Sequence, residues 1–365
     1  MRAAVFHDQG DIRVEDVPKP SCGPDQLLLE VKAVGICGTD AHEFGSGPHM
    51  FPIHSAHAVS GHIGPMIPGH EFTGVVREVG TDVTGFSVGD LVVSGAGISC
   101  DECIQCQRGR TNLCERYSTL GLQQNGGLAE YVAAPAGICL QVGLYGLTPD
   151  TAALAQPMSI AVHAMRRGRL TADDHAVIVG AGGIGAFLTY ATASVTEHFA
   201  VIDLDEKRLK IADALGAPHV LQTGDADEAA AAIDGWGIKP TVVYEVSGTV
   251  PGLRTALRLL PRGGRLVLVG LQGAPVEWDV RTLSLIEHEV IGTNAHVFAA
   301  DMPTALELLA SRNEPWSDIA PVALSLDELV SEGLQPLVER RSSQIKTLID
   351  PWATSSRPTE MVVSA

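Results

Sequence analysis

The sequence predicts an α/β protein in which a doubly wound parallel sheet follows a region built mostly of short strands. Three observations carry this expectation. From about His175, compact apolar strands (HAVIVG, HFAVID, TVVYEV, GRLVLVG and EVIGT) alternate with the helical stretches IGAFLTYATASV, EKRLKIADAL and PGLRTALRLL. That rhythm belongs to a parallel sheet joined by crossover helices. Up to about Leu154, runs such as QLLLEVKAVGI, FTGVVREVG and DLVVSG are separated by turns rich in glycine and proline, which predicts short strands. After about Asn294 the alternation fades. MPTALELLASR reads as a helix, and SQIKTLID reads as a strand returning to the first region. The tail from Ala353 to Ala365 is polar and aperiodic, so it is expected to be disordered or peripheral.

A chain of 365 residues with 45% hydrophobic content suggests two domains with a sizeable core. Acidic residues outnumber basic ones by 43 to 25, giving a net charge of −18, which argues against nucleic acid or an anionic membrane as a partner. No secretory leader opens the chain, and no apolar run is long enough to span a bilayer. A cytoplasmic location is expected, because free thiols persist there.

Four of the seven cysteines, Cys100, Cys103, Cys106 and Cys114, fall in SCDECIQCQRGRTNLC with the spacing C-x2-C-x2-C-x7-C. Four thiolates gathered by tight turns make a closed tetrahedral cage for zinc, with no position left for a substrate. Such a cage contributes folding energy and no chemistry. Cys22, Cys37 and Cys139 remain outside it.

GAGGIG lies between the strand HAVIVG and a helix, and fits G-x-G-x-x-G at Gly180, Gly182 and Gly185. Gly180 permits the turn, Gly182 leaves room for a pyrophosphate, and Gly185 allows close packing of helix on sheet. The helix N-terminus, with Gly183 and Ile184, offers unpaired N–H groups to the phosphates. The next strand, HFAVID, ends in Asp203, whose carboxylate suits both ribose hydroxyls of an adenosine and repels a 2′-phosphate. NAD is therefore expected in preference to NADP. Arg208 could stack on the adenine, and it equally fits a solvated helix face.

A second metal-type set is more dispersed. Cys37 follows an apolar strand in VGICGTDAHEF, with Thr39, Asp40 and His42 after it, and PMIPGHEFTG supplies His70 and Glu71. A cysteine, a histidine and a carboxylate suit a catalytic zinc with an open position. By spacing alone, a small core cysteine and a histidine bonded near a turn fit equally well. The six histidines from His42 to His70 are irregularly spaced in a loop and predict no further metal.

In order, GICGTDAH, GHEFTGVVREVG, the four-cysteine lobe and GAGGIG with Asp203 resemble the zinc-dependent medium-chain alcohol and polyol dehydrogenases. Within these, the butanediol, sorbitol and threonine dehydrogenases are most similar. The likeness runs from Met1 to about Pro351. It implies a GroES-like, mostly-β catalytic domain (residues 1–156 and 296–365, with a structural zinc lobe at 97–115) and a Rossmann NAD-binding domain (157–295). It implies two zinc ions per subunit, Cys37 and His70 as catalytic zinc ligands, and Glu71 as a ligand in polyol dehydrogenases but not in all relatives. It implies a proton path through Thr39 and His42. Position 156 departs from the family's usual glutamate: Gln156 is a poor zinc ligand and no base, but could orient a water or a substrate hydroxyl. The resemblance further implies hydride transfer between NAD and a secondary alcohol or ketone, and a homodimer or homotetramer. The Phe44–Pro68 segment favours a vicinal diol or acyloin such as 2,3-butanediol or acetoin, with polyol or threonine oxidation next. A non-catalytic protein that binds zinc and NAD is the alternative of a different class.

Overall fold

A computed structural model describes residues 1–342 and 344–361. The chain forms two units: Met1–Gln156 with Val297–Ala365, and Pro157–His296. In the first, the described residues form an eight-stranded sheet around the long strand Gln26–Ile36. That strand pairs antiparallel with Glu71–Val79, Tyr131–Pro135 and Thr347–Ile349. Its central residues are almost wholly buried, which explains why LLLEVKAVGI reads as near-continuous apolar sequence rather than clean alternation. Leu27, Leu29, Val31, Val34 and Ile36 pack with Phe72, Val76 and Val132 in one core. SQIKTLID does return to this sheet, as Thr347–Ile349.

The second unit has a six-stranded parallel sheet in the order Val220–Gln222, Phe199–Asp203, Ala176–Val179, Val242–Glu245, Arg265–Leu268, Glu289–Gly292. Helices Gly183–Ala193, Glu206–Ala214, Ala226–Gly235 and Val250–Leu259 join successive strands. The sheet grows outward in both directions from Ala176–Val179. Its two neighbours at that point are Phe199–Asp203 and Val242–Glu245, so the order switches there.

One expectation needs correction. The stretch from Ala353 to Met361 is fastened rather than disordered. Arg357 donates to Asp150 and Asp350, Arg357–Pro358 pairs with Val322–Leu324, and the Glu360 N–H donates to Asp150. Aperiodic polarity missed this because the anchors are ion pairs to distant residues. Residues 362–365 of that predicted tail lie outside the described residues. Among the described residues, no helix is long and apolar enough to cross a membrane.

Candidate active site

Cys37 directly follows the Gln26–Ile36 strand and is the N-cap of the helix Gly38–Ser46. Its sulfur accepts the Thr39 N–H at 3.2 Å, and its own N–H donates to Asp40 Oδ2 at 2.9 Å. This is a capping box with a thiol where a hydroxyl is usual. His70 stands just before the strand Glu71–Val79, whose first residue pairs with Gly35. That register carries His70 to Cys37, with Nε2 3.3 Å from Sγ. The other ring nitrogen, Nδ1, lies 3.7 Å from Asp40 Oδ1, and both atoms are buried with no hydrogen-bond partner. Cys37, Asp40 and His70 thus form one of the two groups of metal-ligating side chains that converge among the described residues.

Glu71 is held elsewhere. Lys346 Nζ donates to its two oxygens at 2.7 and 2.9 Å and to the Ile36 carbonyl at 3.2 Å, and both side chains are nearly inaccessible. A Cβ on Gly35 would overlap the Glu71 carboxylate, so glycine is required opposite it. The structure therefore groups Asp40, not Glu71, with the cysteine and histidine. Neighbouring residues near a strand start project differently, so adjacency to His70 does not put Glu71 at the same point.

Charge decides what this site can hold. Burial pulls the His70 imidazole down, but the Cys37 sulfur and the carboxylates of Asp40 and Glu71 outweigh it and push it up to about 10. Burial pushes Asp40 up, partly offset by His70 and the Cys37 N–H. Lys346 is raised: burial opposes its charge, but Glu71 and Cys37 overcome that. The surroundings thus favour a cation beside Cys37. A proton on His70 supplies one, and a divalent ion displacing that proton would supply more. A soft sulfur and an imidazole nitrogen are the donors zinc takes. The residues present fit zinc.

The second group is the lobe. Cys100, Cys103, Cys106 and Cys114 offer sulfurs all within 4.8 Å of one another. Cys103 and Cys106 Sγ atoms are 3.5 Å apart. That is far from a disulfide and near the roughly 3.8 Å edge of a zinc–thiolate tetrahedron. Backbone N–H groups of Cys100, Cys103 and Arg116 donate to these sulfurs at 3.2 to 3.4 Å. N–H donation from Glu102 and Cys103, with the Arg116 side chain, holds Cys100 down at about 6, while burial pushes Cys106 up to about 12. A metal cation satisfies both.

In the other unit, the turn after Ala176–Val179 places Gly180 at φ +109°, and a Cβ on Gly185 would overlap the Gly180 carbonyl. Beside Gly182, the N-cap of the helix Gly183–Ala193, an added Cβ would meet only Arg208 Nη1, at 3.7 Å. No side chain caps this helix, so its first N–H groups, beginning with Gly183 and Ile184, are open to phosphate. Asp203 ends the neighbouring strand half-buried and accepts the Ala181 N–H at 2.6 Å. Arg208 Nε is buried without a hydrogen-bond partner, 3.9 Å from Asp205. This cradle fits a dinucleotide pyrophosphate.

Thr39 and His42 share one helix face, one turn apart. Thr39 is half-buried and His42 exposed, its ring stacked on His49 at 4.4 Å. Gln156 is buried in the first turn of the helix Ala155–Arg167. The loop histidines have local contacts: His49 with Ser46, His57 with Ser60, His62 with the Gly64 carbonyl, and His54 3.6 Å from Asp8. The sequence reading gave no role to Asp40 or Lys346. The spacing Cys37-x-x-Asp40 carries a capping-box signal that could have found the first. Lys346 shows only as a charge just before the apolar strand Thr347–Ile349, and no sequence signal names its partner.

Comparison with known proteins adds independent findings. Residues 23–143 match the family model for the alcohol dehydrogenase GroES-like domain, and residues 183–311 match the model for zinc-binding dehydrogenase. The (R,R)-butanediol dehydrogenase of Bacillus subtilis is 31% identical over 96% of this chain and 100% of its own length. The crystal structure of 2R,3R-butanediol dehydrogenase from that organism superposes with a TM-score of 0.86 at 29% identity, covering 96% of this chain and 99% of the other. Sorbitol dehydrogenase of the same species is 28% identical over 96% of this chain and 97% of its own. A zinc-binding dehydrogenase of Sinorhizobium meliloti, solved bound to NADP, gives a TM-score of 0.84 at 28% identity, covering 96% and 99%.

Proposed function

This chain belongs to the zinc-dependent medium-chain alcohol and polyol dehydrogenases, and from that premise we propose that it oxidises a vicinal diol, or reduces the matching acyloin, with NAD(H). The observation that carries the reading is the convergence of Cys37 Sγ and His70 Nε2, 3.3 Å apart, with Asp40 at the far edge of the ring. In the reading proposed here, zinc held by Cys37 and His70 supplies a Lewis acid for the substrate oxygen, and the nicotinamide accepts the hydride. Asp40, 3.7 Å behind Nδ1 and not hydrogen-bonded to it, favours by its charge the ring orientation that turns Nε2 toward the sulfur. Lys346 holds the Glu71 carboxylate to itself, apart from the Cys37–Asp40–His70 group. Thr39 takes the hydroxyl proton and His42, exposed one turn on, passes it to solvent. Gln156 orients substrate or water. The thiolates of the lobe hold a structural zinc.

Asp203 supports NAD over NADP, since a carboxylate at the ribose end disfavours a second anion. The butanediol dehydrogenases among the relatives support the diol, and the sorbitol dehydrogenase supports a polyol as the second reading. Exposed apolar residues support a homodimer or homotetramer. Val290 lies on the edge strand Glu289–Gly292, with Val280 and Leu285 in the helix before it. Free thiols support a cytoplasmic site of action. The test is NADH formation from NAD with enantiopure 2,3-butanediols, sorbitol, threonine and simple primary alcohols, alongside zinc analysis per chain. Two zinc ions per chain and turnover of a butanediol isomer support the reading. Turnover of primary alcohols alone overturns the diol, and a single zinc per chain overturns the catalytic site.

A further inference from the structure

A buried carboxylate outside the proposed chemistry ties together two loops at the C-terminal ends of two inner strands of the parallel sheet. Glu245 ends the strand Val242–Glu245 and is fully buried. Its Oε1 accepts from Ser247 Oγ at 2.5 Å and from the Gly248 N–H at 3.1 Å, and its Oε2 accepts from Gln272 Nε2 at 3.0 Å. Ser247 and Gly248 follow this strand, whereas Gln272 follows its neighbour, Arg265–Leu268. The two loops meet backbone to backbone: a Cβ on Gly270 would overlap Gly248 N. They also adjoin the glycine-rich turn, since a Cβ on Gly180 would come within 2.8 Å of Ser247 N.

The strand order says which half of a dinucleotide this corner meets. The pyrophosphate cradle follows Ala176–Val179, and Asp203, the adenosine-ribose residue, ends the strand on one side of it. Val242–Glu245 and then Arg265–Leu268 lie on the other side. A dinucleotide draped across the switch point therefore sets its nicotinamide half against the loops that Glu245 joins.

Glu245 also fixes the Gln272 amide. A carboxylate only accepts, so the amide NH2 must face it and Oε1 must face away. That oxygen is buried and has no hydrogen-bond partner. An unsatisfied buried acceptor is costly, and a donor reaching it is correspondingly favoured. The nicotinamide carboxamide carries an NH2 donor.

We propose that Gln272, oriented by Glu245, is a specificity-determining residue that accepts the carboxamide N–H of the bound nicotinamide. The inference rests on the nicotinamide-cofactor reading of the glycine-rich turn and is independent of the alcohol. The test is calorimetric binding, without substrate, of three ligands: NAD, its 3-acetylpyridine analogue (whose acetyl group lacks the NH2) and ADP-ribose (which lacks the ring). The parent protein should bind NAD about fivefold more tightly than the analogue, one hydrogen bond's worth. Gln272→Leu should erase that ratio and leave ADP-ribose unchanged. Glu245→Gln, which no longer dictates the amide's orientation, should reduce the ratio. An undiminished ratio in Gln272→Leu overturns the proposal. So does an equal loss for all three ligands, which would mark the clamp as structural only. If the parent binds none of the three, the cofactor reading itself fails. Should Gln272→Leu not fold, Gln272→Met, which keeps the length of the side chain and lacks its amide oxygen, should likewise lose the discrimination.

Discussion

The lobe and the Cys37–His70 pair use the same element of chemistry, a cysteine sulfur, in opposite settings. The lobe gathers its four sulfurs within fifteen residues, in turns and two short helical segments, with two of the cysteines half-buried. The Cys37 site draws on the end of one strand, the start of another and a helix cap, with Lys346 arriving from the far end of the chain. Its acidic and basic groups, Asp40, Glu71 and Lys346, are almost wholly buried. Local spacing can specify a closed cage, because turns alone set the sulfurs' positions. A site built from the sheet depends on register, and each buried charge needs a partner from elsewhere. The first arrangement suits a folding role and the second a reactive one, where ions are held out of water.

The largest effects should separate the two roles. Cys103→Ser should cost the lobe its metal and lower global stability by on the order of 5 kcal/mol, read by thermal unfolding and zinc analysis. Cys37→Ser should leave folding nearly intact and lower kcat/KM by about a thousandfold, roughly 4 kcal/mol of barrier, with one zinc per chain retained. Should the two variants show the same profile, the division of labour between lobe and site collapses.

Lys346→Met probes the buried partner. It strands the Glu71 charge among apolar groups and should cost about 3 kcal/mol in chemical unfolding. The double variant Glu71→Leu with Lys346→Met should recover most of that loss, because removing both charges leaves none unpaired. No recovery would mean the pair matters to the site rather than to the fold.

These cases show why some features were legible in the sequence. The parallel sheet was, because each strand is a short apolar block and the helices between them are marked by caps such as Asp205, Asp225 and Thr249, the helix after the glycine-rich turn excepted. The geometry of the lobe and of the GAGGIG turn was, because each is set by contiguous residues. Glu71 lies with Lys346 rather than with Cys37, Asp40 and His70, because two adjacent residues near a strand start point differently, a fact of register. Lys346 and Gln272 were invisible because their meaning is a partner 275 and 27 residues away. The tail was misjudged for the same reason: Asp150, 207 residues from Arg357, does the fastening.

The cofactor turn belongs with the lobe as a local motif, so one substitution should act on it cleanly. Asp203→Gly should narrow the preference for NAD over NADP by about tenfold, near 1.4 kcal/mol, in kcat/KM measured with each cofactor. Unchanged discrimination would move the choice of cofactor to other residues, Arg208 first among them.

The smallest effect tests whether burial, rather than charge pairing as such, gives Lys346 its weight. The strand that Glu71 opens carries a second ion pair nearer the surface, with the strand Gln26–Ile36. Glu30 accepts from Arg77 Nε at 2.8 Å and Nη2 at 3.0 Å, with Lys32 also donating. The Arg77 hydrogen bonds, against some desolvation and with help from Lys32, hold Glu30 down at about 2, from an ordinary 4.5. The unfolded chain binds a proton more readily than the folded one between these values, so stability rises with pH across that window. The pair's contribution is complete above about 4.5 and fades as pH falls toward 2. Arg77 is 42% exposed, so solvent screening limits that contribution to about 1 kcal/mol or less. Arg77→Gln should lower stability by that amount at pH 7, and the gap from the parent should close on acidification through pH 4.5 to 2 in unfolding titrations. A gap at pH 7 as large as that of Lys346→Met would show that pairing, not burial, sets the cost.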